Sequence, residues 1–388
     1  MKNSIAFFFC IMLTAYSFAQ VNSVAFEEDP HVKEIITDFE KEMMGKTARD
    51  TTGSFSAAIF KGDRIFWSKA FGKMNNQASR PADTNTVYRV GSISKTVTAY
   101  LMMLLVQAGK INLDDPVIKY VPELSKLNRD GKDEGDRITF RQLADHTSGL
   151  AREPGDLINN ATGPIEEWEN KVLRSIPLTT LSGATGKTFM YSNIGYGILG
   201  LALSRAAQKP FIELAKEMVF RPHGMINSFY IVDQDNKSRI AAGYHWNPSD
   251  KVYGTAASEK EFAGRGYKVP NGGIFTTAND LARFAMALTA GTGVLAKNYR
   301  DSMQTTQIFI NKKKSEGYGL GLFITEDDKD GKRVRHDGAV AGYNSLMIFD
   351  PVSGIGVILL SNCDNTLSVL NREGNILLNR LVPAGKKQ

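Results

Sequence analysis

Apolar side chains recur along this chain in two rhythms, and the rhythms change in a definite order. In "HVKEIITDFEKEMMGK" the residues Val32, Ile35, Ile36, Phe39 and Met43 return every three or four positions, which predicts an amphipathic helix. "SFSAAIFK" and "RIFWSKAFG" alternate with period two and are joined by "GDR", a hairpin pattern. From about 92 to 290 the spacing is mostly helical, over 92–109, 139–146, 165–175, 192–208, 210–219 and 278–290. Strand patterns then return in "YGLGLFIT", "KRVRHDG", "YNSLMIFD" and "GIGVILLSN", and a closing helix is predicted over 365–381.

Strands at both ends with helices between them predict an α+β protein. Its antiparallel sheet is built from the N- and C-terminal strands and flanked by helices, with a mostly helical region inserted. The sheet part falls at about 28–90 and 264–388 and the helical part at about 91–263, as one catalytic domain over 21–388. A cleft between the two parts is where a small-molecule site is expected.

The first twenty residues change the picture of where the chain works. "MKNSIAFFFCIMLTAYSFAQ" has one lysine, an uncharged apolar run and small residues at its end, the layout of a secretory signal peptide. Its run of about 12 apolar residues is short of the ~20 needed to span a bilayer. The expectation is therefore cleavage near Ala19 or Gln20, a periplasmic or secreted protein, and no membrane insertion afterwards. Cys363 would then stand alone, buried in "GVILLSNC" and without a disulfide partner. The 388 residues are 42% hydrophobic and 23% charged, with formal charge +6 spread along the chain; "NKKKSEG" reads as an exposed loop, and nucleic acid is not implied.

Candidate chemistry gathers at the starts of two helices and in one strand. Ser92 and Lys95 form S-x-x-K, with i,i+3 spacing on one helix face, after Gly91 and ahead of the apolar run "TVTAYLMMLL". An ammonium loses several kcal/mol of hydration when buried unpaired, so a lysine at the head of such a helix marks a task or a partner. The structural reading makes Ser92 an N-cap and Lys95 a snorkelling side chain. Tyr191 and Asn193 form Y-x-N, which occurs once among thirteen tyrosines, and His336 and Gly338 form H-x-G, which occurs once among five histidines. A nucleophile beside a base, a second proton carrier and an edge strand able to pair with an extended substrate are the needs of serine acyl transfer.

Other motifs fail in context. "GYGILG" matches the dinucleotide fingerprint by letter but lies within a predicted helix, where small residues allow close packing. "GKT" at 186–188 has Leu181 where a phosphate loop needs glycine, and reads as a turn. "EEWEN" precedes the Y-x-N element and reads as a solvated helix face. His146 in "ADHTSGL" reads as closing a helix end. The histidines show no close pair, so neither metal nor other cofactor is expected.

With these motifs in view, the chain resembles the β-lactamase and penicillin-binding-protein superfamily of serine hydrolases. The resemblance is closest to the class C-like branch of class C β-lactamases, D,D-carboxypeptidases, D-aminopeptidases and family VIII esterases. It extends through "ITFRQLADHTSGL", "YSNIGYGILG", "VPNGGIFTTANDLARF", "YGLGL" and "YNSLMIFDPVSGIGVILLSN". The resemblance implies Ser92 as nucleophile, Lys95 as partner base, Tyr191 as proton shuttle and Asn193 as holder of the acyl-side amide. His336 stands where many relatives have the lysine of K-T-G, and the backbone N–H groups of Ser92 and Ala339, just beyond Gly338, would form the oxyanion hole. Lys95 and Tyr191 are alternative bases. The implied activity is an acyl-enzyme hydrolase acting on a small ester, amide or peptide-like substrate; the competing reading is a peptidoglycan- or penicillin-binding sensor without turnover. His336 and Asp337 in place of a fixed cation and a hydroxyl predict weakened carboxylate binding and poor β-lactam turnover, the more so if Asp337 faces the cleft, although strand alternation turns it away from His336. Arg333 and Arg335 read as a solvated strand face, the alternative being that they offset the charge of Asp337, and the resemblance leaves a minor role near the cleft open for His146.

Overall fold

The computed structural model describes residues 25–49, 53–127, 136–247, 252–255, 259–327 and 330–386. The leader expected over residues 1–20 lies outside them. Helix α1 (Pro30–Arg49) precedes the hairpin β1 (Ser54–Lys61) and β2 (Arg64–Asn75) and a short strand β3 (Arg80–Pro81). The C-terminal part supplies β4 (Ile308–Phe309), β5 (Glu316–Tyr318), β6 (Phe323–Asp327), β7 (Gly331–Val340), β8 (Tyr343–Asp350) and β9 (Ile355–Ser361). These nine strands form one sheet in the order β3-β2-β1-β9-β8-β7-β6-β5-β4. The ends of the chain meet at β1 and β9, antiparallel, with Ala58 opposite Ile358.

Strand periodicity explains why the central strands are apolar on both faces. Alternate residues of β1 divide between two cores: Phe55, Ala57 and Ile59 go to one face, and Ala58 and Phe60 to the other. The first face is covered by α1 through Val32, Ile35, Phe39 and Met43, and by the C-terminal helix Leu367–Lys386 through Leu370, Leu377, Leu378 and Leu381. On the second lie helices α2 (Ser94–Gln107), α3 (Asn193–Ala207) and α4 (Ala278–Thr289), each contributing to the larger core. Helices α2 and α3 are buried nearly all round, as their unbroken apolar runs require.

The "GYGILG" run lies inside α3, where Gly197 and Gly200 pack against Tyr267 and Pro270. A methyl at Gly197 would stand 2.8 Å from the Tyr267 carbonyl oxygen. Cys363 is buried, and residues 311–315 are exposed. One expectation is corrected. "YGLGLFIT" is not one strand but two, β5 and β6, which pair with each other at Tyr318 and Phe323. The chain reverses over 319–322 because Gly321 adopts φ +77° and lies against Ala99 of α2, while Thr96 Oγ1 donates to its carbonyl at 2.7 Å.

Candidate active site

Ser92 is held on an elbow. The short strand Tyr88–Arg89 runs into a single 3-10 turn, Gly91–Ile93, and only then into α2, so Ser92 stands one turn ahead of the helix rather than at its first residue. Gly91 has φ +49°, and a methyl there would lie 2.7 Å from Val340 Cγ1 and 3.0 Å from the Ala339 nitrogen. Ser345 Oγ of β8 donates to the Val90 carbonyl at 2.9 Å and ties the elbow to the sheet.

Lys95, on the first turn of α2, is completely buried, with Nζ 3.1 Å from Ser92 Oγ and donating to the Asn271 carbonyl at 3.2 Å. Burial drives its pKa well below the ordinary lysine value, and the guanidinium charges of Arg152 and Arg265 push the same way. The amine is therefore one that gives up its proton readily. It is not the snorkelling cation of the structural reading.

Tyr191 arrives from the start of α3, immediately before the N-cap Ser192, whose side chain accepts from Gly195 N at 3.0 Å. Ser92 and the Arg152 charge beside the Tyr191 phenol partly offset the upward push of burial, and the net displacement is upward. The phenol stays protonated at neutral pH. Three side chains fix the ring: Lys95 Nζ and the Arg152 guanidinium each lie 4.8 Å from its centre, and the His146 ring is 4.2 Å away and tilted by 35°.

His146 closes the helix Phe140–Ala144 in the left-handed conformation, φ +63°, as expected of a helix-end residue. It also packs under Tyr191, at the cleft where the family resemblance left a minor role open for it. Its Nδ1 accepts from Ser192 N at 3.1 Å, so the ring proton is on Nε2, which is buried with no hydrogen-bond partner among the described residues.

Asn193 is pinned by Glu153. The side-chain nitrogen donates to Glu153 Oε1 at 2.6 Å; Tyr267 donates to Oε2, and Lys268 Nζ is 3.5 Å from Oε1. A carboxylate only accepts, so the amide orientation of Asn193 is decided: its nitrogen faces Glu153 and its oxygen has no donor in the described chain. Asn271 closes the group, its Nδ2 donating to the Asn193 carbonyl at 2.9 Å.

The far wall is the end of β7. This strand pairs with β8 through Val340 but with β6 only as far as Arg335, leaving an open edge over 336–340. The two-residue loop 341–342 makes Val340 and Tyr343 a hydrogen-bonded pair, so antiparallel alternation points the N–H of Ala339 out of that open edge. His336 is buried. Its Nδ1 lies 2.7 Å from the Asp337 carbonyl and so carries the proton, and Nε2 accepts from Tyr318 at 3.3 Å. Burial brings its pKa down to about 4, against the opposing charge of Asp337, so the ring is neutral at pH 7. Asp337 points to the other strand face and receives Arg335 Nη1 at 2.6 Å, as alternation predicts. Arg333 is not solvated, contrary to expectation: it is 6% exposed and pairs with Asp350, because β7 is covered there by the C-terminal helix.

The structure thus brings Ser92, Lys95, Tyr191 and Asn193 together beside the open end of β7 that carries Gly338 and Ala339, with His336 beneath. Arg152, Glu153, Tyr267, Lys268 and Asn271 complete the cleft and were not singled out from the sequence. "VPNGG" held a signal for Asn271, a turn-rich stretch within a run of family resemblance. No group of three metal-ligating side chains occurs among the described residues.

Comparison with known proteins bears on the fold and the family. "Protein flp" of Staphylococcus aureus is 25% identical over 312 residues, which are 80% of this chain and 59% of that protein; the chain thus spans less than two thirds of this relative's length. A β-lactamase/D-alanine carboxypeptidase from Yersinia pestis shares the fold, with a TM-score of 0.73 at 21% identity over 90% of this chain and 98% of that one. So does EstCE1, a hydrolase with promiscuous acyltransferase activity, with a TM-score of 0.74 at 18% identity over 94% and 100%. The Beta-lactamase family model matches residues 36–378, nearly the whole described chain, and with the S-x-x-K elbow seated against the end of the sheet, the protein belongs to the β-lactamase family.

Proposed function

We propose that this protein is a secreted serine hydrolase that forms an acyl-enzyme on Ser92 and acts on a small ester, amide or peptide-like substrate. The observation that carries the reading is the buried Lys95 amine 3.1 Å from Ser92 Oγ, its pKa pushed far below the ordinary lysine range. Lys95 is the base in this reading, because burial disfavours ionising Tyr191 while the same burial favours the neutral amine. The Ser92 proton passes to Lys95 as Oγ attacks the substrate carbonyl, and the developing oxyanion is met by the Ser92 and Ala339 N–H groups. Tyr191 hands a proton to the leaving group and is reprotonated from Lys95. Water then repeats the sequence on the acyl-enzyme and frees Ser92. Secretion rests on the leader pattern of residues 1–20.

The test is p-nitrophenyl acetate hydrolysis with mass spectrometry of the protein during turnover. The expected result is a burst, an acetyl adduct on Ser92, and loss of both in Ser92→Ala. Equal rates in the wild type and Ser92→Ala would defeat the reading. The protein made in a host with its full sequence should be recovered outside the cytoplasm with its N-terminus near residue 20 or 21; recovery only in the cytoplasm with Met1 intact would overturn secretion.

A further inference from the structure

The open end of the strand, from His336 to Val340, has no cation to offer a substrate: the imidazole is buried and neutral at pH 7, and the preceding Arg335 is engaged by Asp337 and Glu316. Within the cleft Arg265 pairs with Glu261 at 3.0 Å and Lys268 with Glu153 at 3.5 Å. Arg152 differs. Its guanidinium is exposed over the Tyr191 ring, and among the described residues it has neither a carboxylate partner nor a hydrogen-bond acceptor.

Its backbone is nonetheless firmly placed. The Arg152 carbonyl accepts from Asn193 N at 2.8 Å, and Ser192 Oγ donates to the neighbouring Ala151 carbonyl at 2.8 Å, so the first turn of α3 fixes residues 151–152. The adjacent Glu153 turns inward to Asn193, Tyr267 and Lys268 and does not neutralise it. A planar fork of N–H donors, held beside the reacting groups and left unpaired, matches a carboxylate.

We infer that Arg152 is a substrate-binding residue that receives a free carboxylate on the acyl portion of the substrate, so that the preferred acyl donors are half-esters or half-amides of dicarboxylic acids. The assignment rests on the acyl-enzyme reading above. It puts the anchoring charge on the 151–152 segment, against the first turn of α3. A carboxylate bound there sits over the Tyr191 ring.

The test compares mono-p-nitrophenyl glutarate and adipate with their methyl esters, each corrected by a Ser92→Ala blank. In the wild type the acid should exceed its methyl ester in kcat/KM by about tenfold or more at low salt, mainly through KM, and the margin should shrink as salt is added. The ratio of acid to ester cancels any general loss of activity. It should fall to about one in Arg152→Gln, recover in part in Arg152→Lys and invert in Arg152→Glu. No preference in the wild type, or a preference that survives in Arg152→Gln, overturns the assignment. Calorimetric binding of glutarate to Ser92→Ala and to Ser92→Ala/Arg152→Gln reads the anchor without turnover. Weakening of about tenfold in the double variant supports Arg152 even if no ester is cleaved, and equal binding refutes it even if hydrolysis at Ser92 is proved.

Discussion

Gly338→Ala isolates what the contact between elbow and sheet does. Gly338 lies on β7, and a methyl built there would stand 2.5 Å from Ser345 Oγ and nearer still to the Val90 carbonyl oxygen. Those two atoms are hydrogen-bonded to each other at 2.9 Å, and Val90 is two residues before Ser92. Relaxing the Ser345 contact alone to an ordinary 3.4 Å needs a shift of about 0.9 Å, and neither a strand nor the backbone of an elbow gives way as a flexible side chain would. Crowding of this kind costs about 1–3 kcal/mol of stability, and breaking the Ser345 bond adds about 1 kcal/mol. The catalytic effect is larger in proportion. The same shift separates the Ala339 N–H from Ser92, and one oxyanion donor is worth about 2.7–4 kcal/mol of barrier, or on the order of 10² to 10³ in kcat. Burst and steady-state kinetics with p-nitrophenyl acetate, with a urea melt of the same protein, measure both. A Gly338→Ala protein with kcat within twofold of wild type would refute the claim that this register builds the oxyanion site.

Three further outcomes follow from the same geometry. In wild type, kcat/KM for a neutral ester should rise with pH only through the depressed pKa of Lys95 and be level above it, because the amine is a base only when unprotonated; a profile still climbing toward pH 10 would contradict this, and Lys95→Met should lose on the order of 10² or more. His336 titrates near 4 when folded and near 6.5 when unfolded, so the unfolded chain binds the extra proton in that window, and stability is lost as pH falls from about 6.5 to about 4, by about 3 kcal/mol. His336→Gln should therefore show a smaller drop in Tm between pH 7 and pH 4.5 than wild type; an unchanged drop would remove His336 as the cause. Glu153→Ala leaves the donors of Asn193 and Tyr267 without their acceptor and should cost about 1–3 kcal/mol by urea denaturation, with a loss of kcat/KM that Glu153→Gln partly restores. Equal stability of Glu153→Ala and wild type would show that Asn193 is held by other means.

Periodicity and local chemistry determined a good deal of this protein. Period-two stretches at both ends became neighbouring strands β1 and β9, because strands apolar on both faces can be buried only between layers. S-x-x-K, Y-x-N and H-x-G named the groups that meet, since i,i+3 spacing on a helix and alternation on a strand are properties of the backbone alone. The same alternation placed Asp337 on the strand face opposite His336. Where a glycine allowed a reversal, as in "YGLGL", a two-residue rhythm could not tell one strand from a hairpin of two.

Tertiary structure decided the rest. Lys95 loses its proton readily because it is buried near Arg152 and Arg265, which are 57 and 170 positions away in the chain. The His146 ring reaches Tyr191, and Glu153 sets Asn193, only once residues 145–153 lie against the start of α3. Arg333 is buried, and Arg152 lies over the Tyr191 ring with no carboxylate partner among the described residues, for reasons that lie in neighbouring elements rather than in their own segments. Local sequence governs backbone conformation through steric and hydrogen-bonding rules a few residues long. The charge state and partner of a side chain depend on the dielectric and the groups around it, which distant parts of the chain supply only when folded.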